Sequence, residues 1–315
     1  MQAAVIDRYG PPDVVRVAQI PQPTPRADEV LVHVKAVAVT SADSRIRGAR
    51  FPAGFAVFAR LIFGVFRPRR KVLGSAFSGE VEAVGPHVRG IAPGDEVCGM
   101  TGLKLGAHAE YVATPAKKLA RKPSKVSHED AAGLLFGGST ALFFLRDKAS
   151  VGPGTSVLVN GASGAIGTNA VQLAKHLGAT VTGVTSKANV PLVAGLGAER
   201  IIDYTNDDLA GTTDRFDVVL DTVGNLSIAS GRHLLTANGV LLLAVAGLGD
   251  NIRARGNVVT GTAPERVGDF ELLLQLVADG KITVVLDKVY GLHDIAEAHR
   301  RVDSGHKVGN IVVRP

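Results

Sequence analysis

Tryptophan is absent from the 315 residues, and cysteine occurs once, at Cys98. One thiol cannot close an internal disulfide, and it cannot supply a four-cysteine structural zinc site. Aromatic residues make up only 5% of the chain, and no aromatic-rich surface accompanies its one short basic run, Arg67, Arg69, Arg70 and Lys71. That run reads as a solvated edge, and no nucleic-acid partner is expected. A long apolar run is also missing. The most apolar stretch, FPAGFAVFARLIFGVF at 51–66, is broken by Arg60 and falls short of the ~20 residues a membrane span needs. The opening MQAAVIDRYG puts Asp7 and Arg8 where a signal peptide keeps its apolar core. These absences lead to the expectation of a cytoplasmic protein without a membrane partner.

What is present is ordinary for a globular enzyme: 46% hydrophobic and 20% charged residues, with a net charge of +6 that suits an anionic ligand. The length allows about two domains. From residue 1 to about 122 the text is strands and turns, with an alternating, valine-rich EVLVHVKAVAV at 29–39 followed by GEVEAVG, GDEVCGM and AEYVATP. Ser127 and Asp130 then resemble a capping box that opens a helix. After it, short apolar strands (TSVLVNG, TVTGVTS, RIIDY, DVVLDTVG, GVLLLAVAG) alternate with helices, each strand continuous as if covered on both faces. The expected fold class is α/β: a Rossmann-type doubly wound parallel sheet over 123–262, beside a β-rich, barrel-like domain made from 1–122 and 263–315. The tail offers a helix, a strand, a second helix and a last strand.

The stretch VLVNGASGAIGTNAVQLAKHLGA, 157–179, runs from a strand through glycines into an amphipathic helix ended by Gly178. From Ala162 it is the dinucleotide fingerprint with alanine for the first glycine, in the strand–turn–helix context that gives the motif meaning. Ser163, Gly164, Ala165 and Ile166 form the phosphate loop, Gly164 letting backbone approach a pyrophosphate and Gly167 letting the helix pack on the sheet. An NAD site usually has an acid about 20 residues on. Here stand Ser186 and Lys187, a hydroxyl and an ammonium, which favour the 2′-phosphate of NADPH. Tyr204 ends the third strand and is a candidate to add its hydroxyl.

The glycine loop also looks like that of short-chain dehydrogenases, but those need a Tyr-x-x-x-Lys pair, and Asp13, Pro115, Asp208 and Asp294 stand four residues after the tyrosines. The order of a β-rich front, a Rossmann-like middle and a returning tail, with GASGAIGTNAVQLAKHLGA, VTGVTSKANVPLVAGLGAERIIDYT and HRRVDSGHKVGNIVV, resembles the medium-chain dehydrogenase/reductases, most closely their zinc-free quinone oxidoreductase branch. The resemblance implies a GroES-like barrel as the catalytic domain, a cleft between the domains with nicotinamide at its floor, and a homodimer. It places Thr40 at the first catalytic zinc cysteine, Gly74, Ser75 and Ala76 on the Gly-His-Glu signature, and the second cysteine near Phe136. No metal is therefore expected. Ala76 departs from the aspartate the branch often has, removing a polar group near the cleft. The resemblance also implies Thr40 and Asp43 beside the nicotinamide, Thr140 at its ribose or carboxamide, Val223 and Ala246, Gly247 and Leu248 bordering the ring, and Asn310 reaching in from the tail.

Without a Lewis acid nothing lowers an alcohol's pKa, whereas a quinone or α,β-unsaturated carbonyl takes hydride directly and leaves an oxyanion that needs only a hydrogen-bond donor or water. The expected function is NADPH-dependent reduction of such a small molecule. An enoyl-thioester reductase and a non-catalytic NADPH-binding sensor are the alternatives, because no general acid is identifiable. The 51–66 stretch reads equally as a greasy lid on the cleft or as a helix packed on the barrel or at a dimer contact.

Overall fold

A strand covered on one face needs apolar residues at every second position, and one covered on both needs them throughout. The two patterns build two sheets. The computed structural model describes residues 1–315, the side chain of residue 210 excepted. The front third gives β1 (Gln2–Ile6), β2 (Val15–Gln19), β3 (Glu29–Ala38), α1 (Ser41–Gly48), α2 (Ala56–Phe63), β4 (Ala76–Val84), β5 (Glu96–Met100), β6 (Tyr111–Pro115) and β7 (Leu119–Arg121). In β3, Val30, Val32 and Val34 face a core shared with Phe77, Ile311 and Val313, while His33 on the other face stacks on Tyr111.

The middle gives α3 (His128–Leu142), β8 (Ser156–Asn160), α4 (Ala165–His176), β9 (Thr180–Thr185), α5 (Val190–Gly195), β10 (Arg200–Asp203), β11 (Phe216–Asp221), α6 (Ile228–His233), β12 (Leu235–Leu243), α7 (Leu248–Arg253) and β13 (Val258–Thr260). These strands pair in the order β10-β9-β8-β11-β12-β13, every pairing parallel, so the chain reverses direction across the sheet between β8 and β11. This is the doubly wound order, and it opens a crevice at the carboxyl ends of β8 and β11. Val157, Leu158 and Val159 are fully buried, as a doubly covered strand requires. Ser127 accepts the Asp130 amide at 3.0 Å, but Asp130 does not return the bond, so only half of the expected capping box forms.

The tail gives α8 (Val267–Ala278), β14 (Leu286–Gly291), α9 (Ile295–Asp303) and β15 (Asn310–Arg314). It works on both sides of the molecule. Phe270, Leu273 and Leu274 of α8 join the core under the parallel sheet, whereas β14 and β15 complete the mixed sheet, ordered β14-β15-β3-β4-β5-β7 with β6 on β3. The Val39 amide donates to Ile311 O at 2.9 Å, and the Gly309 amide donates to Ser163 O at 2.8 Å. One strand and the turn before it thus tie the start of α1 to the glycine loop.

The 51–66 stretch is a helix packed on the barrel: Ala59 and Phe63 of α2 meet the barrel core, and no residue of the stretch lines the cleft. Among the described residues no helix is long and apolar enough to cross a membrane.

Candidate cofactor and substrate cleft

Above the β8–β11 crevice lies a cleft of about 1000 Å³, walled by the parallel sheet, by the start of α1 and by the tail. Its shape begins with Asp221, the buried last residue of β11. That carboxylate accepts the amides of Val223, Gly224 and Leu226 at 2.9, 3.1 and 3.1 Å, and the Asn160 side-chain amide at 3.0 Å. Asn160 also donates to Asn225 at 2.7 Å, so one buried network holds both lips of the crevice.

The glycine loop fits a phosphate group. The first bond of α4 runs from the Thr168 amide to Gly164 O, leaving the amides of Ala165, Ile166 and Gly167 without a helical acceptor. A Cβ on Gly167 would sit 2.1 Å from Gly161 O, so that glycine is required by the fold. Gly164 is different. Its φ is −80°, and a Cβ there would meet only Gly161 O, at 3.4 Å. Nothing in the protein needs glycine at 164, and the vacant space faces the cleft.

Thr40, Thr140, Ser163, Gly164, Ala165 and Ile166 all line this cleft, together with Tyr204, Val223 and Asn310. The hydroxyls of the two threonines are already committed. Thr40 Oγ1 donates to Asp43 at 2.6 Å and Thr140 Oγ1 donates to Phe136 O at 2.7 Å, so both present lone pairs, not protons.

Asp43 is not at the cleft. Buried at 1% exposure, it completes a capping box with Thr40, accepting the Thr40 amide at 2.8 Å, and its other oxygen accepts the Gly74 amide at 2.9 Å. It positions Thr40 and has no free oxygen for chemistry. Ala246, Gly247 and Leu248 do not line the cleft either. Ala244 and Val245 take that place, because Gly247 caps α7 and the Leu248 amide donates to Ala53 O at 2.8 Å. Ser186 and Lys187 stand just beyond Thr185, which does line the cleft. Ser186 is held by Asn189, Lys187 points to solvent, and the Lys187 amide bonds Asp203.

Two cations not singled out by the sequence reach the cleft. Arg45, on the first turns of α1, has its guanidinium partly desolvated, which lowers its pKa. Lys307 donates to Gly309 O at 2.6 Å, and burial pushes its ammonium down to about 8. Neither makes an ion pair among the described residues, and Lys307 lies two residues from the bridge that joins Gly309 to Gly164. Asp207 lines the cleft near Tyr204, giving that end an acidic side. Around Thr40 the wall is apolar: Ala38, Val39, Met100, Phe136 and Ile166. No group of three or more His, Cys, Asp or Glu able to hold a metal occurs among the described residues.

Residues 26–124 match the alcohol dehydrogenase GroES-like domain, and residues 196–313 match the zinc-binding dehydrogenase family. The chain is 31% identical to the 2-methylene-furan-3-one reductase of Solanum lycopersicum, over 100% of this chain and 79% of the relative. It is 29% identical to the chloroplastic NADPH-dependent alkenal/one oxidoreductase of Arabidopsis thaliana, over 100% of this chain and 80% of the relative. Among solved structures, the quinone oxidoreductase from Coxiella burnetii superposes with a TM-score of 0.90 at 29% identity, covering 100% of this chain and 99% of that one.

Proposed function

The chain belongs to the medium-chain dehydrogenase/reductase superfamily, with the quinone oxidoreductases, and on that premise we propose that it is a zinc-independent NADPH reductase of quinones or α,β-unsaturated carbonyls. One observation carries the reading: a single cleft joins the free amides of α4 to a floor of Thr40 and Phe136. The amides, with Arg45 and Lys307, suit the phosphates of a dinucleotide. The floor offers no thiolate, imidazole or carboxylate set with which to polarise an alcohol, and that favours substrates already electrophilic.

When bound, the nicotinamide supplies the hydride; the chain supplies position and exclusion of water. Thr140 Oγ1 accepts, so it suits a donor such as a carboxamide N–H. Thr40, turned by Asp43, likewise accepts. With both hydroxyl protons engaged, the proton that quenches a product oxyanion comes from solvent. The apolar wall of Val39, Met100 and Phe136 suits the rings or alkene carbons of the substrate. Preference for the 2′-phosphate is assigned to Lys187, whose side chain is free at the rim, with Tyr204 beside it and Asp207 opposing. Assembly as a homodimer belongs to the same reading and is checked by sedimentation equilibrium.

The test is cofactor oxidation by chelator-treated protein, with NADPH and NADH in parallel, against an ortho-quinone, a simple enone, a crotonyl thioester and a primary aldehyde. Quinone or enone turnover that prefers NADPH and is unchanged by chelation is expected, with Lys187→Glu losing the NADPH preference. Loss of activity on chelation would overturn the metal-free reading. Tight cofactor binding with no turnover would instead favour a sensor.

A further inference from the structure

α2 leaves its outer side uncovered. Phe63 and Ala59 pack inward, yet Val57 is 70%, Phe58 58%, Leu61 55% and Ile62 52% exposed, and the turn beyond adds Val65 and Phe66 at 44% and 91%. Contiguous exposed apolar side chains of this size mark a contact surface. The turn continues into Arg67, Arg69, Arg70 and Lys71, all exposed. Lys71 pairs with Asp7 at 2.9 Å, but the three arginines have no ion-pair partner among the described residues. The charge around the patch is one-sided. No acidic residue occurs between 44 and 79; of the eight basic ones, Arg47 and Arg50 are paired with Asp303 and Arg45 lines the cleft, which leaves Arg60 and the 67–71 run beside the patch. Three exposed arginines without an ion-pair partner among the described residues therefore follow directly on the exposed apolar helix.

We propose that α2 and the arginine-rich turn after it form a docking surface for an anionic lipid bilayer, the helix lying flat in the headgroup layer with Phe58, Leu61, Ile62 and Phe66 inserted and the arginines on lipid phosphates. A basic rim around aliphatic and phenyl side chains is the chemistry of interfacial helices. Charge complementarity selects this occupant. A second copy meeting the same patch across a two-fold axis would set arginine against arginine. A single-stranded nucleic acid would match the charge but would find Val57, Leu61 and Ile62 where stacking needs aromatic faces. A lid role is excluded by the walls of the cleft, none of which comes from 51–66. The short apolar run rules out a span; it does not rule out contact with a surface.

The test is co-sedimentation of the full-length protein with phosphatidylcholine vesicles, with and without 30% phosphatidylglycerol, at low salt and at about 0.5 M. Binding is expected only to the anionic vesicles and is expected to fall steeply with salt, since the Debye length shrinks. Arg67→Gln, Arg69→Gln and Arg70→Gln should each weaken the partition coefficient about fivefold. Phe58→Ser with Phe66→Ser should abolish binding while leaving dinucleotide affinity unchanged. No binding to anionic vesicles overturns the proposal. So does equal binding to both compositions that ignores the arginine changes, or a concentration-dependent dimer that the two serine substitutions dissolve without any vesicle binding, or retention on single-stranded RNA in place of vesicles.

Discussion

Asp43 and Lys307 show how burial decides what an ionisable side chain can do. Asp43 spends its carboxylate on the Thr40 amide and hydroxyl and on the Gly74 amide, all within the fold. Asp43→Ala removes the reciprocal half of the α1 capping box and leaves the Thr40 and Gly74 amides unpaired, and should destabilise the protein by about 3 kcal/mol in urea unfolding. If Asp43 were instead a catalytic acid or base, the variant would keep its stability and lose turnover. Lys307 behaves in the opposite way. Its ammonium is pushed down to about 8, so the charged form is disfavoured in the empty fold and the native state gains stability as pH rises from about 8 toward the ordinary lysine value. In the proposed function it is the charged form of Lys307 that holds a dinucleotide phosphate. Affinity should therefore decline as pH passes 8, by up to about tenfold per unit, with proton uptake on binding. Lys307→Met should weaken binding at pH 7 and flatten the decline; titration calorimetry between pH 7 and 9 reads both. Thr40 and Thr140, expected by resemblance beside the nicotinamide, both line the cleft. Arg45, Lys307 and Asp221 were not expected there, although Lys307 lies in HRRVDSGHKVGNIVV and Asp221 in DVVLDTVG, because nothing in those patterns marks which side chain turns to the crevice. Asp43, expected beside the nicotinamide, is buried beneath Thr40, because Thr-x-x-Asp is also a capping signal and the structure uses it as one.

Among the elements, the parallel strands were the most legible, since burial on both faces writes an unbroken apolar run that local context cannot disguise. The strand-to-helix turn after β12 was less so. A two-residue displacement moves Ala244 and Val245 into the cleft wall in place of Ala246–Leu248, and nothing in an apolar run marks where the strand stops facing a cavity. Within α4 the two glycines can be separated experimentally. Gly167→Ala drives a Cβ onto Gly161 O, so it should lower the thermal midpoint by several degrees and push α4 off the sheet. Gly164→Ala has room in the protein and an ordinary φ, so it should leave the midpoint within about a degree and still weaken dinucleotide binding at least tenfold, by filling the space meant for phosphate. Thermal melts and cofactor titrations of the pair decide it. Equal loss of stability in both variants would mean that Gly164 is structural and that the vacant space is not a phosphate seat.

At the scale of the whole molecule, the tail couples two sheets that share no strand. β15 lies between β14 and β3 in the mixed sheet, while Gly309, just before it, donates to Ser163 in the glycine loop of the parallel one. Lys307 and Asn310 reach the cleft from that same short run. A dinucleotide seated on the α4 amides therefore presses on a segment whose other contacts belong to the barrel, including the Val39–Ile311 bond that precedes Thr40. Occupancy should then be felt on both sides of the cleft, because local opening of the tail must break contacts with both units. In hydrogen exchange, NADPH is expected to slow the amides of 305–311 and of 39–45 together with those of 161–168, although the three segments lie in different parts of the chain. Ser163→Pro cannot report on this, since it alters the loop itself. Lys307→Met can, because it keeps the Gly309–Ser163 bond and removes the ammonium, with its own bond to Gly309 O. In that variant protection of 161–168 should persist at saturating cofactor while protection of 39–45 falls. Protection confined to 161–186 in the unaltered protein would show that the tail is a passive edge, and the cleft would then close without it.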